Sequence, residues 1–312
     1  MLGSELYRRA LAWIREHYPF WDRRGGRDHL FAFPHDEGAC VAPIELSPSI
    51  LISSWGRAER RPGNATTTMV EHSWFHPYHL PRMLASETCY RPGQDIVMPV
   101  FTKVADIARS PHLSAAPPPP RTTLFHWRGQ VTDDPRYSLG LRQQAIALLG
   151  GREAEGLLVA AGHSREYERE ILSSTFCGVF PGNGWGHIEL PILLGCIPVV
   201  AQDGILAPWE EVLDFSSFAL RLNRSQLAAL PQILRAIPEA RVAGMQAALG
   251  QRWERYTYSS LAIAERRRRC GTRHWSGCTP KLPRDRWLAS ARLTGKDAVD
   301  TLLHVLAARI RS

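Results

Sequence analysis

FCGVFPGNGWGHIELPILLGCIPVVAQD, residues 176–203, decides the fold. It begins with an apolar run, Phe176 to Phe180, and continues through a glycine-rich loop carrying Gly182, Gly184 and Gly186. A helix-compatible segment, His187 to Leu194, leads to a second apolar run, Cys196 to Ala201, and then to Asp203. Apolar runs this short, bounded by Gly and Pro, predict strands buried on both faces, and a helix between two of them predicts a parallel pair. A glycine-rich loop ahead of a helix lets backbone N–H groups approach a diphosphate closely. Ligands of a parallel sheet sit beyond the carboxyl ends of its strands, where both the loop and Asp203 fall. The same glycines are equally compatible with a tight turn and nothing more.

The alternation extends outward from this stretch. Thr123 to Trp127 and Leu157 to Ala161 predict further strands, interleaved with helical segments Ser138 to Leu149 and Arg165 to Ser173. Helices at Glu239 to Tyr258 and Asp297 to Ile310 close the chain, the latter with Val299, Leu302, Leu303 and Leu306 on one face. Upstream, Leu30 to Phe33, Ile50 to Ile52 and Asp95 to Met98 also read as buried strands. Strand and helix in alternation is an α/β pattern. Ser110 to Pro120, which ends in Pro117-Pro118-Pro119-Pro120, predicts an extended connector. A chain of 312 residues suits two domains, expected at 1–115 and 121–312.

An apolar fraction of 44% with 22% charged residues excludes disordered and fibrous classes. The net charge of +8 favours anionic partners, among them nucleotide diphosphates and acidic polysaccharides. The run Arg266 to Arg269 reads as a solvated helix end or loop. Neither zinc-finger spacing, a basic region with heptads nor an aromatic RNA-binding motif occurs, so nucleic acid is not an expected partner. Six cysteines, Cys40, Cys89, Cys177, Cys196, Cys270 and Cys278, contain no CxxC pair. Disulfides pairing Cys40 with Cys89, Cys177 with Cys196 and Cys270 with Cys278 are compatible with the order of the cysteines but not deducible from it, and Cys177 and Cys196, each at a buried strand, are expected to be core thiols. The acceptor patterns Asn64-Ala65-Thr66 and Asn223-Arg224-Ser225 point toward an oxidising lumen, with Asn64 exposed. The opening segment is charged and amphipathic rather than a signal peptide, and no apolar stretch reaches the roughly 20 residues of a membrane span.

Three ordered blocks resemble the exostosin family of glycosyltransferases. The quoted stretch with Pro208-Trp209-Glu210 and Phe215-Ser216-Ser217-Phe218 after it resembles that family's C-terminal signature. Phe20-Trp21-Asp22-Arg23-Arg24-Gly25-Gly26-Arg27-Asp28-His29, followed by His35-Asp36-Glu37-Gly38-Ala39-Cys40, resembles its N-terminal block. Leu124-Phe125-His126-Trp127-Arg128-Gly129, with Tyr137-Ser138 and Arg142, resembles the block between.

The resemblance implies a GT-B fold, two Rossmann-like domains facing across a cleft, and inverting transfer from a nucleotide-sugar donor to a polysaccharide or glycoprotein acceptor. The N-terminal domain would face the acceptor and the C-terminal domain would bind the donor, with the last helix packing back on the first domain. It implies a Golgi-lumen setting and an anchor that these residues do not supply. The donor-binding set is Arg128, Gly129, Gly182, Gly184, Trp185, Gly186, His187, Glu189 and Asp203. The family's Arg and, three residues on, Glu ahead of the Gly-Cys step fall here on Ile188 and Pro191, which leaves Arg128 as the cation expected to carry the diphosphate. Glu189 stands at the helix start, where an acid competes with phosphate. Inverting transfer needs a general base for the acceptor hydroxyl, and His35 or Asp36, just past a strand, could serve. The bland alternative has His35, Asp36 and Asp28 hydrogen-bonding their own loop. No Asp-x-Asp triplet occurs, so neither metal nor cofactor is expected, the nucleotide-sugar being substrate. The alternative function is a catalytically degenerate carbohydrate- or nucleotide-binding protein.

Overall fold

The short apolar runs form strands where the sequence places them, and their order in the sheets comes from long-range pairing. The computed structural model describes residues 2–34, 38–58, 88–114, 118–134, 137–182, 187–264 and 293–311. His35, Asp36, Asn64, Gly184, Trp185, Gly186, the Arg266 to Arg269 run, Cys270 and Cys278 lie outside the described residues.

A three-stranded parallel sheet has the order β1-β2-β4, from β1 (Leu30–Phe33), β2 (Ile50–Ser53) and β4 (Ile96–Val97). Phe31 lies opposite Leu51 and Ile52 opposite Ile96, so one face of each strand is committed to the interior. The helix Leu2–His17 covers this face through Tyr7, Leu11 and Ile14, spaced for one helical stripe, against Trp21, Phe31, Phe33, Leu46 and Leu51. Gly26 adopts φ +82°, and a Cβ there would lie 2.5 Å from the Trp21 ring, so only glycine fits.

The second sheet is five-stranded, parallel throughout, with the order β10-β8-β7-β5-β6. Its strands are β5 (Thr123–Gly129), β6 (Leu157–Ala161), β7 (Ser174–Val179), β8 (Ile197–Val200) and β10 (Leu220–Arg221). The chain leaves β5 for β6 on one side, then crosses back to β7 on the other, so the winding reverses between β5 and β7. In doubly wound sheets that reversal opens the ligand crevice.

The two parallel sheets are separate, and a short antiparallel ribbon of β3 (Gly56–Arg57) and β9 (Ile205–Leu206) joins the halves. Gly56 is required there, because a Cβ would meet Val97 at 2.7 Å and Leu206 at 2.9 Å. One core cluster draws Cys40, Trp55, Cys89 and Ile96 together with Val179, Ile188, Trp209, Trp253 and Tyr256. Arg309, on the closing helix Ala298–Arg311, donates to the carbonyls of Gln94 and Asp95. Among the described residues no helix is long and apolar enough to cross a membrane.

Two expectations need correction. Cys177 and Cys196 are bonded to each other, not core thiols, because β7 and β8 are adjacent parallel strands that bring their Cα atoms to 5.8 Å. Cys40 and Cys89 form the other disulfide among the described residues. The helix expected from Ser138 begins only at Leu141, since Ser138 and Leu139 take positive φ values of 57° and 56°. That bend lies between Tyr137 and Arg142, whose Nη1 donates to Tyr137 Oη at 3.0 Å.

Candidate functional site

A cavity of about 830 Å³ lies where strand ends from both parallel sheets converge. From the three-stranded sheet come Pro34 after β1, Ser54 after β2, and Val100 and Lys103 after β4. From the five-stranded sheet come Arg128, Gly129 and Gln130 at the end of β5, Gly162, His163 and Ser164 after β6, and Cys177 and Gly178 of β7. His187, Leu190 and Pro191 close the wall beyond β7. The volume suits a ligand of nucleotide size or larger.

One side of the cavity is a hydrogen-bonded charge network. Glu170, on the helix Tyr167–Leu172, accepts from Arg128 Nε at 2.9 Å and Nη2 at 3.2 Å, from Ser164 Oγ at 2.8 Å, and pairs with His126 Nε2 at 3.1 Å. Burial works to raise the Glu170 carboxyl, but these bonds from Arg128, Ser164 and His126 hold it below its ordinary value. Burial also lowers His126, so its imidazole favours the neutral form despite Glu170. Arg128 is thus locked in a bidentate pair and its charge is answered within the protein, which differs from the expectation that it carries a diphosphate.

Arg142 has the opposite circumstance. It is 8% exposed and lines the cavity. Its Nη1 donates to the Gln130 carbonyl at 3.0 Å and to Tyr137 Oη at 3.0 Å, and its Nη2 donates to the Phe180 carbonyl at 3.3 Å. Its guanidinium lies 5.5 Å from the Trp127 ring centroid and 5.4 Å from that of Tyr137. Nε has no hydrogen-bond partner, and no carboxylate among the described residues pairs with this arginine. Burial lowers its pKa, the direction expected of a cation held away from water. Arg142 stands within the quoted motif blocks, and its spacing after Tyr137-Ser138 is the signal for it in the sequence. Ser164 and Glu170 stand outside the quoted blocks, and the sheet order alone brings them to His126, which stands within one.

The other expected residues divide. Gly129 and His187 line the cavity, and Gly182 packs against Arg142, where a Cβ would come within 2.2 Å of Nη2. Glu189 does not line it: the carboxylate is buried and accepts from the Val100 N–H at 2.8 Å, because its helix is pressed against the chain leaving β4. Asp203 is exposed and accepts from the Arg224 N–H at 3.2 and 3.3 Å, which fixes the turn entering 224–229. Ile188 is fully buried in the core and does not line the cavity, while Pro191 does. Asp28 bonds side chains of its own block, Arg23 at 2.5 Å and His29 at 3.1 Å, where the bland reading expected loop backbone.

The chain matches the exostosin GT47 domain over residues 2–237. It is 25% identical over 259 residues to a probable glucuronoxylan glucuronosyltransferase of Arabidopsis thaliana, covering 76% of this chain and 48% of that protein. A probable glucuronosyltransferase of Oryza sativa subsp. japonica is 23% identical over 271 residues, covering 80% of this chain and 56% of its own length. Exostosin-2 of Bos taurus is 28% identical over 195 residues, 56% of this chain and 26% of that protein. The chain therefore spans about half the length of these plant relatives and about a quarter of exostosin-2. Because the domain match runs through every strand of both parallel sheets, the chain belongs to the exostosin GT47 family.

Proposed function

We propose that the protein is an inverting glycosyltransferase of GT-B architecture, which binds a nucleotide-sugar in the cavity and transfers the sugar to a polysaccharide or glycoprotein. The observation that carries this reading is the convergence of strand ends from both parallel sheets on one cavity, with the β5/β7 reversal in its wall. The five-stranded sheet supplies the donor side, through Gly129, the glycine loop from Gly182 to Gly186 and His187. The three-stranded sheet supplies the acceptor side, where Pro34 lines the cavity immediately before His35 and Asp36 in the sequence. One of those two takes the acceptor hydroxyl's proton as it attacks the anomeric carbon.

Two disulfides support an oxidising compartment, in keeping with a Golgi-lumen enzyme. Since relatives are named for glucuronosyl transfer, nucleotide-activated glucuronic acid is the first donor to test. The measurement is release of nucleoside diphosphate from a panel of nucleotide-sugars with oligosaccharide acceptors. Acceptor-dependent release is expected with at least one donor, and it should fall by about 10²- to 10⁴-fold in His35→Ala or in Asp36→Ala. Binding of nucleotide-sugar without any release would establish instead the degenerate binding protein, a reading favoured by the buried Ile188 and the internally neutralised Arg128.

A further inference from the structure

We propose that Arg142, not Arg128, is the cation that receives the anionic group of the donor. This rests on the reading of the cavity as the donor site, and adds to it the residue on which recognition turns. A guanidinium stays charged at any physiological pH, and burying a charge is costly unless an opposite charge or a full set of hydrogen bonds answers it. Arg142 is buried, yet the partners it has are two carbonyls and a phenol, all neutral, and its Nε has none. Arg128, eight-tenths or more buried in its side chain, has its charge answered by Glu170 through two hydrogen bonds. Of the two arginines lining the cavity, one is neutralised and the other is held ready.

Position points the same way. Arg142 bonds Gln130, one residue past β5, and Phe180, one residue past β7, so its guanidinium bridges the two strands between which the winding reverses. It also packs on Gly182, the first glycine of the loop, where any side chain would displace Nη2. Its planar fork, fixed by Tyr137 and Trp127, presents a preset geometry to phosphate oxygens that a flexible surface lysine lacks. The competing role is a purely structural clamp joining residues 130, 137 and 180, in which case the bonds would be the whole purpose of the residue.

The two roles separate by calorimetric titration of uridine diphosphate, and of inorganic pyrophosphate, into the full chain and its variants. Arg142→Gln is expected to weaken binding of both probes by about 10- to 100-fold. Arg128→Ala is expected to lower the melting temperature by exposing Glu170 to an unanswered burial, with a smaller loss of affinity than Arg142→Gln. Gly182→Ala, which displaces the guanidinium without removing it, should reproduce the affinity loss. Folded Arg142→Gln that binds both probes as wild type does overturns the proposal and leaves the cavity's donor role intact. If Arg142→Gln does not fold, Gly182→Ala decides: unchanged affinity overturns the proposal and a tenfold loss supports it. Failure of wild type to bind either probe overturns this proposal and the donor-site reading together.

Discussion

Glu189→Gln should make the protein more stable than wild type at pH 8 and nearly equal to it at pH 4.5. Burial pushes the Glu189 carboxyl up to about 8, against a normal value near 4.5, and its hydrogen bonds with its own backbone and Val100 only partly offset that. The neighbouring phenols Tyr256 and Tyr258 are raised by burial too and stay neutral in this range. Between the two values the folded chain holds a proton that the unfolded chain has released. The stability this group contributes is therefore complete below the unfolded value and is lost as pH rises through the folded one, at up to ~1.4 kcal/mol per pH unit. Glutamine has no proton to lose and still offers an oxygen to the Val100 N–H. The expected gap at pH 8 is on the order of 3–4 kcal/mol. Burial lowers His112 to about 4 and also lowers His126, so wild type gains some stability over the acidic part of the range from these groups. They are the same in both proteins, and the difference between variants isolates Glu189. Urea unfolding at pH 5, 6.5 and 8 reads it out, and parallel pH curves for the two proteins would show that Glu189 is ionised in the fold.

The second large effect is expected from the Cys177–Cys196 disulfide. It closes a sequence separation of 19 residues that includes the glycine loop, and such closures contribute about 3 kcal/mol by restricting the unfolded chain. Both half-cystines are buried among Ile171 and Leu194, so a Cys177→Ala/Cys196→Ala variant also loses some packing. Its melting temperature should fall by several degrees in non-reducing buffer. Dithiothreitol should lower wild type by more than this, because it also opens Cys40–Cys89 with its separation of 49 residues. A wild type whose melting temperature ignores reductant, with a variant that loses only a little, would restore the reading of Cys177 and Cys196 as core thiols.

The strands were legible because each is a short apolar run closed by Gly or Pro, as in Leu30 to Phe33 and Leu157 to Ala161, and β8, buried at every position, is continuously apolar. The motif blocks named the family, whereas of the loop's glycines only Gly182 falls among the described residues. Helix starts were less so, since at Ser138 and Leu139 positive φ values override a helical pattern.

By itself, then, the sequence determined the α/β class and the strands, both set by local pattern. Only the tertiary structure decided which charges meet. Glu170 lies 42 residues from Arg128 and 44 from His126, and they meet because β5 pairs with both β6 and β7 and packs the intervening helix over its end. The same packing buries Arg142 without an acid among the described residues, buries Glu189 against Val100, and sets Cys177 beside Cys196. A side chain's charge is written in the sequence, but whether that charge is answered depends on distance and desolvation, and both of these arise only when remote segments pack.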